Sequence, residues 1–270
     1  MNTYKLLYLI ISVPMALLSA CAYDEDYEEH KVGSDMLEIA DRYYYRCDSL
    51  TTVNLSEKVR SIGDQAFFGS SITSLAIPSG VSYIGDNAFN FCANLTTIRI
   101  DERNQVFDSR DDCNAIIFSR DDKLVYGCSK TVIPGSVRSI DDYAFCGCEN
   151  LGDLVLPDNV EHIGDGAFSE CGGLVSVTLS EGLSHVSTLA FADCPDLTTV
   201  TIPQSVTSIG DAAFLHCDQL TSVRVRSVRP PQCGYIAFFN THATLYVPVG
   251  SREAYASARG WSDFKTIVEE

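Results

Sequence analysis

The sequence predicts a repeat solenoid, a right-handed array of short parallel strands and turns with a C-terminal cap. Two observations predict this fold: a six-residue motif recurs along the chain, and most copies lie about 23 residues apart. A third observation is that a single copy of the repeat is too small to bury its own apolar edge. Stacked copies bury one another's edges, so the array folds as one unit.

The motif is I-G-D-x-A-F, with a clear copy at Ile209-Gly210-Asp211-Ala212-Ala213-Phe214. Its closing aromatic position is occupied in turn by Phe67, Phe89, Phe145, Phe168, Phe191, Phe214 and Phe238. The successive spacings are 22, 56, 23, 23, 23 and 24 residues, which indicates one repeat length and one insertion.

Each repeat begins with a short strand. Val200 and Ile202 alternate with threonines, so a period of two places them inward, and Pro203 ends the strand. In the motif that follows, Gly210 is expected to adopt a turn backbone that other residues resist. Asp211 is expected to cap a short helical turn that carries Phe214 into the core.

The insertion, around residues 101–130, predicts a hairpin. Residues 115–118 and 123–126 are apolar segments that flank a polar turn at Ser119-Arg120-Asp121-Asp122. The nearby Asp108, Asp111 and Asp112 leave two interpretations, a solvated acidic loop or a cation site. Their spacing matches no EF-hand, so the solvated loop and no metal are predicted.

Six cysteines share one column of the repeat: Cys47, Cys92, Cys148, Cys171, Cys194 and Cys217. Neighbouring rungs of a solenoid stand about 4.8 Å apart, whereas a disulfide needs Cβ atoms about 3.8 Å apart. The column therefore predicts buried free thiols. Outside it, Cys113 and Cys128 flank the hairpin and are the pair favoured for a disulfide.

The N-terminus predicts a lipoprotein signal peptide over residues 1–20. Lys5 precedes a thirteen-residue apolar run, Leu6 to Leu18, which is too short to span a bilayer. The string Leu18-Ser19-Ala20-Cys21 resembles the bacterial lipobox, which implies lipidation of Cys21; an ordinary signal peptide is the alternative. Residues 21–35 form an acidic tether, either a plain solvated linker or, by resemblance, a surface-export signal of Bacteroides-like bacteria.

The outward strand positions are candidates for ligand binding because the inward positions and the turns are committed to packing. They are rich in small hydroxyl side chains, which also simply suit exposed strands. Arginine supplies the binding energy that these hydroxyls lack, so Arg99 and Arg224 are the expected anchors. The candidate ligand-binding residues are Thr97, Arg99, Ser176, Thr178, Thr199, Thr201, Ser222 and Arg224.

Composition and motifs argue against several classes of protein. The net charge of −17 opposes nucleic-acid binding. The five histidines are scattered, and no catalytic or nucleotide-binding motif occurs. The recurring aspartates follow the repeat, so they are read as structural. We therefore expect no enzyme activity and no cofactor.

The repeat resembles the BspA-like leucine-rich repeat family of bacterial surface proteins over about residues 36–270. Residues 36–227 then form the solenoid. Residues 228–270, with Trp261 as the single tryptophan, resemble the terminal capping unit. The resemblance implies an outer-membrane lipoprotein exposed at the cell surface that attaches to a protein or a glycan and contacts the membrane only through its lipid. The alternatives are an enzyme or accessory in polysaccharide handling and a purely structural envelope protein.

Overall fold

The computed structural model describes residues 35–239 and 241–270, so the signal segment, Cys21 and nearly all of the tether lie outside the described residues. The described chain is a parallel β-solenoid of about 10 turns, roughly 23 residues apart, which confirms the predicted fold class. Most turns, or rungs, contribute one short and one longer strand. Two rows of parallel strands therefore run along the molecule.

The first row consists of two-residue strands that immediately precede the Gly-Asp of the motif. The strands of this row are β1 (Glu38–Ile39), β2 (Ser61–Ile62), β4 (Tyr83–Ile84), β9 (Ser139–Ile140), β11 (His162–Ile163), β13 (His185–Val186), β15 (Ser208–Ile209) and β17 (Gln232–Cys233). Within the row the strands pair in parallel in three groups, β1-β2-β4, β9-β11 and β13-β15-β17, as Ser61 pairs with Glu38 and Tyr83.

The second row consists of strands of four or five residues. The alternation predicted from the sequence holds, because Val200 and Ile202 are both fully buried while the threonines between them face outward. The strands of this row are β3 (Ser74–Ile77), β5 (Thr97–Ile100), β10 (Gly152–Val155), β12 (Leu174–Thr178), β14 (Thr199–Ile202), β16 (Ser222–Val225), β18 (Thr244–Val247) and β19 (Thr266–Glu269).

A ladder of stacked aromatic rings runs through the core. Phe145, Phe168, Phe191, Phe214 and Phe238 stack nearly parallel, with centroids 4.8, 5.2, 5.4 and 5.0 Å apart along the series. A rung spacing of about 4.8 Å places equivalent rings in contact without any change of rotamer. The repeat length of the sequence therefore fixes this contact.

The predicted hairpin is present in the insertion. Strands β7 (Ile116–Phe118) and β8 (Lys123–Tyr126) pair antiparallel, β6 (Phe107–Asp108) lies beside β7, and Arg110–Asp112 is a short 3-10 turn. Strand β8 also pairs in parallel with β9, so the hairpin is attached to the short-strand row.

Tyr126 from the hairpin takes the place of one missing phenylalanine. Its ring meets Phe89 edge-on at 5.4 Å, and its hydroxyl donates to the carbonyl of Gly85 at 2.7 Å. The same hydroxyl accepts from the amide of Ala88 at 3.0 Å. Burial raises the pKa of this phenol above its ordinary value. Two hydrophobic clusters meet here, one spanning residues 39–128 and one spanning residues 113–264.

The motif aspartate acts differently from the prediction. The residues after it form a turn and not a helix, and its carboxylate binds the next rung. Asp41 Oδ1 accepts from the Asp64 amide at 2.9 Å, and Asp142 Oδ1 accepts from the Asp165 amide at 2.8 Å. Asp211 Oδ1 likewise accepts from the Tyr235 amide at 2.6 Å. The aspartate therefore joins rungs and does not cap a helix within its own.

The role predicted for the motif glycine is also wrong. The left-handed backbone falls two residues later, as at Ala212 with φ 54°. Glycine is needed because neighbouring rungs approach closely: a Cβ at Gly85 would lie 2.5 Å from the Asp64 amide nitrogen, and one at Gly210 would lie 2.6 Å from the Thr188 amide nitrogen. Contacts this short are not tolerated by a side chain, which explains the recurrence of glycine.

The column cysteines Cys92, Cys148, Cys171, Cys194 and Cys217 are free, as predicted, but Cys47 is disulfide-bonded. Each free thiol donates to a carbonyl of the preceding rung, for example Cys194 to Phe168 at 3.1 Å. Cys113 and Cys128 are also free, so the pairing predicted for them is wrong. Cys113 contacts Ser109 and Cys128 contacts Asn114, which satisfies both thiols by hydrogen bonds.

The C-terminal end is covered by a cap. Trp261 is fully buried, as predicted, and its indole donates to the carbonyl of Pro231 at 2.7 Å. The ring lies 5.3 Å from Phe238, so it ends the aromatic ladder. The helix α1 (Arg252–Ser257) adds Tyr255 to the same cluster, and β19 extends the long-strand row beyond β18.

Replacement of Phe168 by alanine is expected to lower the free energy of unfolding by about 3–5 kcal/mol, because a fully buried ring with two stacking partners is lost. Urea denaturation measures the change. The control is Phe239→Ala, whose ring is 57% exposed and for which less than about 1 kcal/mol is expected. Equal losses for both variants would contradict the assignment of the ladder as core.

The cysteine assignments predict a pattern of alkylation. Burial raises the pKa of the Cys92 thiol to about 11 and also raises that of Cys171, so iodoacetamide at about pH 8 is expected to leave both unmodified in the folded protein. In denaturant without reductant, Cys113 and Cys128 are expected to react with iodoacetamide, as are Cys92 and Cys171. Peptide mass spectrometry reads the result, and a Cys113–Cys128 disulfide peptide would overturn the assignment.

Candidate functional site

The largest regular surface of the described chain is the outward face of the six-stranded sheet β10-β12-β14-β16-β18-β19. The register sets equivalent residues side by side, so that Thr199 lies between Ser176 and Ser222. The outward residues form two rows. The first row is Asp153, Ser176, Thr199, Ser222, Thr244 and Thr266, and the second is Val155, Thr178, Thr201, Arg224, Tyr246 and Val268.

Hydrogen bonds between rungs hold this face in place. The Thr198 hydroxyl donates to the carbonyl of Val175 at 3.0 Å, and the Thr221 hydroxyl donates to that of Thr198 at 3.2 Å. On the face itself, the Ser176 hydroxyl donates to Asp153 at 2.6 Å. The surface is therefore preorganised, which lowers the entropy lost when a ligand binds.

Arg224 has two neighbours that the sequence did not reveal. Its guanidinium lies over the ring of Tyr246 at 4.5 Å, and its Nε donates to Glu270 at 3.0 Å. Tyr246 is the equivalent of Arg224 on the next strand, so the register predicts this contact once the repeat is extended into the C-terminal unit. The arginine is thereby oriented while its side chain remains 43% exposed.

The predicted site residues do not all lie together. Ser176, Thr178, Thr199, Thr201, Ser222 and Arg224 share the six-stranded sheet, whereas Thr97 and Arg99 lie on the separate two-stranded sheet β3-β5. Seven of the eight are half-buried and Arg99 is exposed, but the Ser222 hydroxyl oxygen is itself buried and has no hydrogen-bond partner in the described chain. The eight candidate residues therefore lie on two separate sheets, and the row of longer strands is interrupted between them.

Asn114 causes the interruption. Its side-chain oxygen accepts from the Ile98 amide and its side-chain nitrogen donates to the Thr96 carbonyl, both at 2.7 Å. One amide side chain thus occupies the edge of β5 where the next strand would pair. No strand follows β5 in that row until β10, within the described ranges.

Two grooves open elsewhere on the described surface. One, of about 580 Å³, lies between the last rung and the cap and is lined by residues including Phe239, His242, Arg259, Asp263 and Lys265. The other, of about 230 Å³, lies at the insertion.

The groove at the insertion contains three carboxylates, from Asp86, Asp141 and Asp142. Asp141 forms an ion pair with Lys123 at 2.8 Å, and Asp142 accepts the Asp165 amide at 2.8 Å. Two of the three carboxylates are therefore held by the scaffold and are not directed together at the groove.

The acidic loop of the insertion is bridged by an arginine. The Arg110 guanidinium contacts both Asp108 and Asp122, and the Ser119 hydroxyl also donates to Asp108. Burial acts to raise the pKa of Asp108, but these hydrogen bonds outweigh it and lower the pKa below its ordinary value. Asp108 and Asp122 are thus paired with Arg110, whereas a solvated acidic loop was predicted.

Two searches of the described residues gave negative results. No group of three or more His, Cys, Asp or Glu side chains there is arranged to hold a metal ion. None of the described helices has both the length and the apolar character needed to cross a bilayer.

Rungs joined by parallel strands, an internal aromatic ladder and an outward strand face define a leucine-rich-repeat solenoid. The chain belongs to the BspA type leucine rich repeat family, whose repeat region it matches in six copies over residues 19–113 and 122–244. A search of curated proteins found no match.

Several solved structures are similar to this chain. A leucine rich cell surface protein from Faecalibacterium prausnitzii is 27% identical with a TM-score of 0.65, over 89% of this chain and 59% of that one. The pneumococcal vaccine antigen PcpA shares the fold with 19% identity and a TM-score of 0.66, over 86% and 67%. A leucine-rich repeat protein from Bacteroides ovatus does so with 20% identity and a TM-score of 0.54, over 88% and 65%. This chain thus spans about three fifths of the Faecalibacterium protein's length.

Proposed function

We propose that this chain is a surface-anchored, non-catalytic binding protein that takes a macromolecular ligand, a protein or a glycan, on its six-stranded sheet. The observation that carries the proposal is the pair of outward rows in continuous register from Asp153 to Thr266. The motif residues serve the contacts between rungs. Most outward side chains of the strand face, such as Thr199 and Thr201, are not committed to those contacts, so they are available for a ligand.

The size and chemistry of the face favour a large ligand. Six strands at a spacing of about 4.8 Å make a surface about 24 Å long, which is wider than a small metabolite. Small side chains at Ser176, Thr199 and Thr201 allow close approach but provide little binding energy. The oriented pair of Arg224 and Tyr246 supplies the kind of side chain that dominates binding energies in interfaces.

The proposed location is the outer membrane, with the solenoid exposed at the cell surface. Lipidation of Cys21 would anchor the chain through buried acyl CH₂ groups, and the acidic tether would separate the lipid from the first rung. The Faecalibacterium protein, which is 27% identical, is described as a leucine rich cell surface protein, and this supports exposure at the cell surface.

Thr199→Glu is expected to weaken ligand binding by about tenfold or more, because it adds bulk and a charge to the centre of the face. A binding screen of the chain from residue 21 against matrix proteins and glycans first identifies the ligand, and calorimetry then compares the variants. Matched controls are Thr207→Glu, an exposed threonine of the same repeat outside the longer strand, and Asp121→Ala in the hairpin. Normal binding by Thr199→Glu with lost binding by Asp121→Ala would assign recognition to the insertion.

Cys21→Ser is expected to abolish lipidation and to leave the signal segment uncleaved by the lipoprotein pathway. Metabolic labelling with an acyl precursor, followed by gel analysis, compares the variant with the unchanged chain. A diacylglyceryl thioether occupies the Cys21 sulfur, so a Cys21 disulfide in the mature protein would oppose the proposal. Cys233→Ser is the control, and its labelling is expected to stay at the level of the unchanged chain.

A further inference from the structure

The charges of the chain are distributed unevenly along the solenoid. The net charge is −17, yet the region after Asp218 contains more basic than acidic residues. The basic residues of this region are Arg224, Arg226, Arg229, Arg252, Arg259 and Lys265. Its acidic residues are Glu253, Asp263, Glu269 and Glu270. The C-terminal end of an otherwise acidic molecule is therefore its cationic end.

The groove beside the cap lies at this end. Arg259 and Lys265 line it, are exposed and form no ion pair within the described ranges, and Asp263 is the one acid in its lining. The lining also includes the rings of Tyr235 and Phe239, which are 58% and 57% exposed. A groove with a cationic rim and an aromatic wall fits an acidic segment that also carries aromatic side chains.

We propose that this groove binds the acidic segment 23–29 of a second copy of the chain. That segment is Tyr23-Asp24-Glu25-Asp26-Tyr27-Glu28-Glu29, with five carboxylates and two tyrosines. It has both properties that the groove requires, negative charge for the rim and aromatic rings for the wall. The proposal does not depend on the ligand face of the six-stranded sheet.

The dimensions favour a second copy, because only the first residues of the acidic segment could span the molecule. The first rung carries β1 and the groove lies against the rung of β17, about eight rung spacings away, which is about 38 Å. Glu29 is six residues before Asp35, so a fully extended chain carries it at most about 21 Å from that residue. The acidic segment as a whole therefore does not reach the groove of its own molecule.

Such a contact joins the N-terminal end of one molecule to the C-terminal end of the next. The interface is heterologous, so it leaves one free tether and one free groove in every pair and adds further copies in a line. The copies would form rows at the surface that holds them.

Sedimentation velocity of the chain from residue 21, with Cys21→Ser to keep it free of lipid, tests the proposal. Concentration-dependent association is expected at about 0.05 M salt and dissociation at about 0.5 M salt, because the contact is electrostatic. Two variants are made: a groove variant, Arg259→Glu with Lys265→Glu, and a tether variant in which the five acids become Asn or Gln. Each is expected to weaken association by about tenfold. A wild-type chain that stays monomeric at low salt overturns the proposal.

A mixture of the two variants gives the sharpest result. The tether variant retains its groove and the groove variant retains its tether, so an equimolar mixture is expected to form one-to-one dimers and nothing larger. The matched control, Arg120→Glu with Lys130→Glu, makes the same charge change on the insertion and is expected to associate like the wild type. Association of the groove variant at wild-type strength, or no dimer in the mixture, would also overturn the proposal. A milder groove variant, Arg259→Gln with Lys265→Gln, removes the two charges without reversing them and is expected to weaken association less. Circular dichroism of every variant shows whether it is folded.

Discussion

The hydrogen-bonded spacing between parallel rungs, about 4.8 Å, is the constraint on which the rest of this structure depends. It brings each phenylalanine of the ladder against its equivalent, as Phe168 meets Phe191 with an interplanar angle of 2°. It brings the thiol of Cys194 to a carbonyl of the preceding rung. It also leaves no room for a Cβ at the motif glycine. One repeated distance thus selects aromatic, cysteine and glycine residues at three different positions.

The same spacing explains what the sequence could predict. The local sequence pattern predicts the inward strand residues, such as Val200, and it also predicts the rung length and the hairpin. Each of these features is set by residues close together in the sequence. The functions of Gly210 and Asp211 could not be predicted in this way, since both residues contact an adjacent rung. Within a single repeat, Gly210 and Asp211 are consistent with a turn and a helix cap, whereas Asp211 in fact accepts a hydrogen bond from the Tyr235 amide of the next repeat.

The candidate binding face was partly predictable for a related reason. Alternation identified Thr199, Thr201 and Arg224 as outward, and the register confirms that they adjoin one another. The limit of the face was not predictable, because the Asn114 side chain that ends it comes from an irregular segment with no repeat signature. The interaction of Arg224 with Glu270 was also hidden, since the two residues are 46 positions apart and two strands distant.

The insertion has a consequence for cooperativity. At this point the long-strand row breaks, the stacked ladder changes to the edge-on contact of Phe89 with Tyr126, and the two hydrophobic clusters meet. In a linear array, each rung is stabilised mainly by its immediate neighbours, so a weaker junction divides the array into units that open separately. We therefore expect the N-terminal rungs to unravel under mechanical load before the longer C-terminal block. A solenoid built this way yields in stages when it is pulled.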